Sequence, residues 1–175
     1  MIKVIPASNL REINQELKQM YINSFSSDER REWKEMQKLI DLPDFNIHQI
    51  FDDQKIIGLI TIWNLLNFTF IEHFAIEESF QGKGVGSQVI RQIIEGKSSK
   101  VILEVEEPTD KPTSRRITFY ERLGFSVCES IYYQPPYSMG KSKVKMVLMS
   151  FPDKITSLEF IEIKTQLYRE VYGRV

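Results

Sequence analysis

The sequence predicts a mixed α/β or α+β protein, and three observations support this expectation. The chain has 175 residues, which suits a single domain, 1–175, with a sizeable core. Its content of 42% hydrophobic and 27% charged residues is ordinary for a globular protein. Apolar, β-prone segments alternate along the chain with segments of helical spacing, which indicates helices around a mixed sheet.

The first half of the chain contains two helical patterns and four strand patterns. A capping-box spacing joins Ser26 to Glu29 and predicts the start of the second helix. In order, the predicted elements are a strand at 2–5, a helix from Ser8 or Asn9 to about 25, a helix at 26–40, a hairpin of 48–52 with 55–64, and a strand at 68–76.

The second half continues with helices and strands in turn. A helix opens near Gly84, a strand covers 101–106, and a helix ends at Tyr120 and Glu121. Strands at 125–132 and 143–150 follow, and a terminal helix is expected at 156–172. Its apolar positions are Leu158, Ile161, Ile163, Leu167 and Val171.

The segment from Gln81 to Ser87 is the most informative local pattern. Three glycines at alternate positions follow a strand and open a helix. Glycines let an anion approach the backbone, and the N–H groups and partial positive charge of a helix N-terminus attract it. The pattern matches neither the P-loop nor the dinucleotide fingerprint. We therefore expect a cradle for another pyrophosphate, although the loop alone also fits a simple strand–helix joint.

Two motifs in this order resemble the GNAT acetyltransferase superfamily. Gln81, Gly84 and Gly86 match its pyrophosphate loop, and Tyr120–Phe125 matches its Tyr-Glu-x-Leu-Gly-Phe segment. The resemblance covers about 55–150. It implies a mostly antiparallel sheet of six to seven strands flanked by helices, here with an extra C-terminal helix, and acetyl-CoA as co-substrate. The cofactor-binding residues that it implies are Phe74, Ala75, Ile76, Gln81, Gly82, Lys83, Gly84, Val85, Gly86 and Ser87.

The resemblance also implies the catalytic groups. Tyr120 corresponds to the tyrosine beside the CoA sulfur, where a phenol can protonate the departing thiolate. Glu104, in a Leu-Glu-Val strand, and Glu72, on the strand before the loop, compete for the role of base. Burial among apolar residues would raise the pKa of Glu72, which suits a base, and Glu72 is slightly ahead as the residue lining the cleft. His73 should face the opposite side of the sheet from Glu72, because side chains alternate along a strand, and is interpreted as structural.

Four further residues are candidates for the acceptor pocket. Tyr133 and Tyr137 flank two prolines in a stiff aromatic loop, and Arg30 and Trp33 lie near the expected start of the second helix. For each of them a packing or solvated role is an equally simple interpretation.

The sequence thus predicts a cytoplasmic N-acetyltransferase that moves an acetyl group from acetyl-CoA to a primary amine in a ternary complex. The acceptor is a small amine or a peptide N-terminus, and a homodimer is left open. The alternatives are a non-catalytic acyl-CoA sensor and a transferase of a larger acyl group. A net charge of −1, one cysteine and two scattered histidines indicate no nucleic acid, disulfide or metal site, and no apolar run is long enough for a membrane.

Overall fold

The structure is a computed structural model that describes residues 1–7 and 15–174. The described chain forms two compact units, Met1–Ser26 with Glu32–Ser99, and Ser27–Arg31 with Lys100–Val175. Strands and helices alternate within each unit as the sequence predicts. The predicted caps of the first helix, Ser8 and Asn9, lie outside the described residues.

The first unit is an antiparallel four-stranded arrangement with helices packed on it. Its strands pair in chain order, β1 with β2, β2 with β3 and β3 with β4. Helix α1 packs against β3 and β4, and helix α3 packs against β1. The bounds are β1 Ile2–Pro6, α1 Gln15–Ser24, α2 Trp33–Leu39, β2 Phe45–Asp52, β3 Lys55–Asn64, β4 Phe68–Ile76 and α3 Val85–Ile94.

The second unit is built around a long antiparallel strand pair. Strand β8 pairs with β5 and also with β6 and β7, while helix α4 packs on β5 and β6. The bounds are β5 Lys100–Glu106, α4 Lys111–Glu121, β6 Ser126–Val127, β7 Tyr132–Gln134, β8 Val144–Phe151 and α5 Ser157–Gln166. A π-helical turn, Leu167–Val171, and a 3-10 turn, Tyr172–Arg174, complete the chain described.

The expected class, mixed α/β with mostly antiparallel strands, is confirmed, and residues 1–7 and 15–174 contain eight strands. The eighth arises because the strand predicted at 125–132 is interrupted. Cys128 still donates its N–H to the Leu148 carbonyl at 2.8 Å, but the chain then leaves β8 and exposes Ile131 before β7 begins. Tyr132 lies four positions after Cys128, whereas their partners on β8, Met146 and Leu148, are only two positions apart.

The helix predicted at 26–40 begins late, at Trp33. Its capping box is formed by Glu32 and Glu35, and the Ser26–Glu29 pattern is not used. Tertiary hydrogen bonds within the second unit hold this segment in turns instead: Gln134 donates to the Asp28 carbonyl, Lys141 to the Arg30 carbonyl, and the Ser142 N–H to the Asp28 carboxylate. Those bonds compete successfully with a local capping preference that is worth about 1 kcal/mol.

The terminal helix does not bury all of its predicted apolar positions. Ile163, Leu167 and Val171 are buried, whereas Leu158 and Ile161 are 78% and 62% exposed. At about 100° per residue, Leu158 and Ile161 fall on the side opposite to the buried stripe. Only three of the five apolar positions therefore belong to the buried face of this segment.

Candidate active site

The glycine loop in the first unit has the backbone of an anion cradle. Gly82 and Gly84 adopt φ of +71° and +80°, and a Cβ added to either would meet no atom within 4 Å. Gly84 is the N-cap of α3, and among the described residues no side chain caps this ten-residue helix. The first N–H groups of α3 therefore remain directed at the space above the loop, where the partial positive charge of the helix lies.

The loop is anchored on both sides. Gln81 donates its Nε2 hydrogen bond to the Ile76 carbonyl at 2.8 Å, which ties the loop to the end of β4. Val85 is buried with Val89 and Ile90 on the inner face of α3. Lys83 lies with its Nζ 5.6 Å from the centre of the Phe80 ring. The predicted cradle residues are thus held together as one loop on one strand–helix joint.

The end of β4 is held close to β3 by a glycine. Gly58 pairs with Ile76, and a Cβ at Gly58 would lie 2.5 Å from the Ala75 carbonyl oxygen. Phe74 and Ile76 are half-buried, whereas Ala75 is buried. These three residues therefore form a fixed stretch of backbone directly before the cradle.

A β-bulge places Glu72 and His73 on one side of the first unit. Thr61 pairs with His73 and Ile62 pairs with Ile71, so that Glu72 is the extra residue on β4. The Glu72 Oε2 lies 3.8 Å from the His73 Nδ1. The expectation that the two side chains face opposite sides is wrong, because the bulge interrupts the alternation of side chains.

Glu72 and His73 belong to a buried polar network. The Trp63 Nε1 donates to the Glu72 Oε2 at 2.8 Å, and the Thr61 hydroxyl lies 3.2 Å from the His73 Nδ1. Tyr21 on α1 lies with its hydroxyl 3.4 Å from the other ring nitrogen of His73. The side chain of Glu72 is 0% exposed. Buried charges need such partners, and here Glu72 is held from inside the unit.

Glu104 in the second unit has a different environment. It is half-buried near the middle of β5, and its Oε1 accepts a hydrogen bond from the Tyr172 hydroxyl. Burial is the main cause of a raised pKa of Tyr132 and of Tyr168, and the Glu104 carboxylate adds to the rise in both. Glu104 therefore lies near three tyrosines, Tyr132, Tyr168 and Tyr172.

Tyr120 lies near the C-terminal end of α4 and is 5% exposed. Its ring contacts Phe119 and Phe125, with centroids 4.9 and 5.7 Å away. Burial raises the pKa of Tyr120 and the Arg116 guanidinium opposes the rise only partly. The phenol is protonated at neutral pH, as an unshifted tyrosine is, and the raised pKa favours retention of its proton over release.

The start of α4, after β5, is fixed by a proline and a capping box. Pro112 stands in the first turn of α4, where proline is tolerated because its missing N–H has no helical partner. Asp110 is the N-cap and accepts from the Thr113 N–H at 2.8 Å. Thr113 thus serves the helix cap.

The four predicted acceptor residues have separate surroundings. Trp33 packs against Tyr21 in the first unit, with ring centroids 5.8 Å apart. In the second unit, Tyr133 is half-buried beneath the Lys143 Nζ, and Tyr137 is buried against Tyr172. The Arg30 carbonyl accepts from Lys141.

Several residues of the second unit were missed by the site prediction. Arg31, Tyr132, Tyr168 and Tyr172 surround or support the Glu104 region. The spacing of Tyr168 and Tyr172, four residues apart in a predicted helix, was a signal that these two share a face. The sequence held no comparable signal for Arg31, which is 0% exposed.

The described residues include no helix with the length and apolar character needed to cross a membrane. In the same part of the chain, no group of three or more histidine, cysteine, aspartate or glutamate residues is arranged to hold a metal ion.

Comparison with known proteins identifies the class. Residues 10–125 match the acetyltransferase (GNAT) family, and the chain therefore belongs to this family of acyltransferases. It is 27% identical over 109 residues to YjbC of Bacillus subtilis strain 168, a provisionally assigned acetyltransferase, a match that covers 61% of this chain and 56% of that protein. The match thus spans little more than half the length of this relative.

Solved structures agree with the family. A provisionally assigned GNAT acetyltransferase from Bacteroides thetaiotaomicron is 32% identical, with a TM-score of 0.89 over 99% of both chains. Arabidopsis thaliana NAA60 in complex with acetyl-CoA is 15% identical, with a TM-score of 0.67 over 86% of this chain and 98% of that chain. The second likeness shows the fold, and the ligand is that of the plant protein.

Proposed function

We propose that this protein is an acetyl-CoA-dependent N-acetyltransferase that transfers the acetyl group directly to a primary amine. The observation that carries the proposal is the cradle at the start of α3, with two glycines at positive φ and uncapped N–H groups facing open space. A pyrophosphate is the anion such a loop suits, and membership of the GNAT family makes the carrier acetyl-CoA. The acceptor is a small amine or a peptide N-terminus.

We assign the base to Glu104 in preference to Glu72. A base must reach the acceptor amine, and the Glu72 side chain is fully buried and bound by Trp63. Glu104 is half-buried as a residue, although its Oε2 is buried, whereas the whole Glu72 side chain is unexposed. This proposal departs from the slight preference for Glu72 that the sequence suggested, and the burial of Glu72 with its Trp63 bond supports a role in holding the bulged strand.

The transfer then needs three events. Glu104 accepts a proton from the acceptor ammonium, and the neutral amine attacks the thioester carbon. The C–S bond of the tetrahedral intermediate breaks as Tyr120 donates its proton to the departing thiolate, and the second proton of the attacking nitrogen then restores the Tyr120 phenol. No cysteine or serine is required as a nucleophile in this scheme, and the products are the N-acetyl amine and CoA.

A binding and turnover experiment tests the proposal. Calorimetry with acetyl-CoA should show one site, and a panel of amines and peptides assayed for released thiol should identify acceptors. Binding without thiol release for any acceptor would favour the acyl-CoA sensor. Preference for a longer acyl-CoA in the same assay would favour the transferase of a larger acyl group. Absence of binding would refute the cradle assignment.

The two glutamates are separated by pH dependence. Glu104→Gln should lose most of the rate together with the acidic limb of the pH profile, because a base works only when ionised. Glu72→Gln keeps that limb if its role is structural. An acceptor of low pKa is needed, since ionisation of the amine produces a similar limb. If Glu72→Gln abolishes the limb and Glu104→Gln retains it, the assignment of the base is reversed.

The compartment and assembly are part of the proposal. A chain with one cysteine suits the reducing cytoplasm, and the single cysteine, Cys128, is buried. The alternatives for assembly are a monomer and a homodimer, and analytical sedimentation distinguishes them.

A further inference from the structure

The C-terminal turn of the second unit is fixed in place by buried contacts. Leu167 and Val171, both 0% exposed, anchor the π-helical turn, and the Tyr172 N–H donates to the Leu167 carbonyl. The Arg31 Nη2 donates to the Val171 carbonyl at 2.7 Å. Because Arg31 is itself fully buried, this charge-assisted bond holds the last turn firmly.

The ring of Tyr172 is held from two sides. Tyr137 packs on it with ring centroids 5.3 Å apart, and Tyr168 meets it edge-on at 6.4 Å and 89°. The Arg31 guanidinium lies 4.7 Å from the centre of the Tyr137 ring. With the ring fixed in this way, the hydroxyl has a defined position, and that position is beside the Glu104 Oε1.

We propose that Tyr172 is a positioning residue that orients the Glu104 carboxylate and stabilises its ionised form. The inference rests on the proposed function, in which Glu104 removes the proton of the acceptor amine. A hydroxyl that donates to a carboxylate favours the charged form and lowers its pKa. A fixed donor on one oxygen also limits rotation of the carboxyl group. The terminal helical segment would then serve the reaction through Glu104 without contacting the acceptor.

The titratable groups that face Glu104 allow a matched control. Tyr172 contacts the carboxylate directly, and the charge of Glu104 also acts on Tyr132 from β7 and on Tyr168. The Tyr168 hydroxyl, however, donates to the Tyr133 carbonyl at 2.5 Å. Tyr168→Phe therefore removes a hydroxyl from the same segment, whereas Tyr172→Phe removes the donor to Glu104.

The first test measures the carboxyl group without any substrate. Carbon-13 NMR of glutamate-labelled protein gives the titration of Glu104, whose signal is assigned by its loss in Glu104→Gln. Tyr172→Phe should raise the titration midpoint by about one pH unit, as expected when a hydrogen bond to a charged group is lost. Tyr168→Phe should shift it by much less. Equal shifts in both variants, or none in Tyr172→Phe, would overturn the inference.

The second test measures turnover. Tyr172→Phe should move the acidic limb of the pH–kcat profile up by about one pH unit, so kcat on that limb, below neutral pH, should fall by about tenfold. The affinity for acetyl-CoA should stay at the parent value. In the Glu104→Gln background the same change should have no further effect. A full additional loss in that background would show that Tyr172 acts elsewhere and would refute the positioning role.

Two outcomes separate this inference from the proposed function. If Glu104→Gln retains the parent rate, the assignment of the base fails, whatever the NMR titration shows. If Glu104→Gln is inactive and the titration midpoint is unchanged by Tyr172→Phe, only the positioning role fails. Urea unfolding shows whether each variant is folded. If Tyr172→Phe folds poorly, the titration of Glu104 is measured in Tyr172→Leu, which also lacks the hydroxyl donor.

Discussion

Replacement of Gly84 by alanine should weaken acetyl-CoA binding far more than it weakens the fold. Gly84 has φ of +80°, and a Cβ there would project into open space above the cradle. An L-residue in this region costs about 1 kcal/mol of stability. For a chain of 175 residues, that corresponds to a fall in Tm of about 2–4 °C.

The effect on binding follows from the same geometry. The new methyl group would stand where a phosphate approaches the backbone, and would disrupt at least one hydrogen bond from an N–H group. A hydrogen bond to a charged group contributes about 1.5–3 kcal/mol, so the Kd for acetyl-CoA should rise by roughly tenfold to a hundredfold.

Gly96→Ala is the matched control for this prediction. Gly96 has φ of +70°, and a Cβ there would also meet no atom within 4 Å, but Gly96 follows the other end of α3. Both variants should lose similar stability in thermal unfolding, and calorimetry should show weakened binding in Gly84→Ala alone. Equal affinity in the two variants would refute the cradle assignment.

Two further predictions concern the second unit. Tyr120→Phe removes one hydroxyl and keeps the ring, so it should lower turnover on the order of a hundredfold with little change in acetyl-CoA affinity. Unchanged turnover with a good acceptor would show that Tyr120 has only a packing role. Contacts with Lys100 and Thr156 lower the pKa of Glu159 to about 2. Glu159 therefore stabilises the fold above its unfolded pKa of 4.5, and this stabilisation is lost as the pH falls from 4.5 towards 2. As the pH falls across that range, the free energy of unfolding measured in urea should decrease less for Glu159→Gln than for the parent protein. The same pH dependence in both proteins would contradict the stabilising role of Glu159.

The strand–loop–helix segment was predictable because its signals are local. Glycines at fixed positions between an apolar strand and an amphipathic helix define the joint without reference to the remainder of the chain. Gly124 is a similar case, since it ends the α4 region with φ of +93°. A residue at positive φ after a helix is a short-range property that sequence expresses directly.

The orientation of His73 was not predictable because it depends on the pairing of β4 with β3. A strand read alone alternates its side chains, and that rule places Glu72 and His73 on opposite faces. The bulge is created by the register between Thr61 and Ile62 on the neighbouring strand. Similarly, the Ser26–Glu29 capping pattern was overruled by hydrogen bonds from residues more than a hundred positions away.

Glu72 and Glu104 show why residue type and local pattern could not decide which carboxylate is the base. Each stands among apolar neighbours on a strand, so the sequence gives them nearly the same expected burial. Trp63 binds Glu72 from nine residues away on the adjacent strand, whereas Tyr172 binds Glu104 from sixty-eight residues away on the terminal turn.

The donors differ in what they do to the carboxylates. Trp63 holds Glu72 in a position where its side chain has no exposure, while Tyr172 contacts a half-buried Glu104. A base needs both stabilisation of its charge and access to the proton that it removes. Under the proposed function, the Tyr172 hydroxyl supplies the first requirement to Glu104, and the partial exposure of this residue favours it over the unexposed Glu72 side chain for the second.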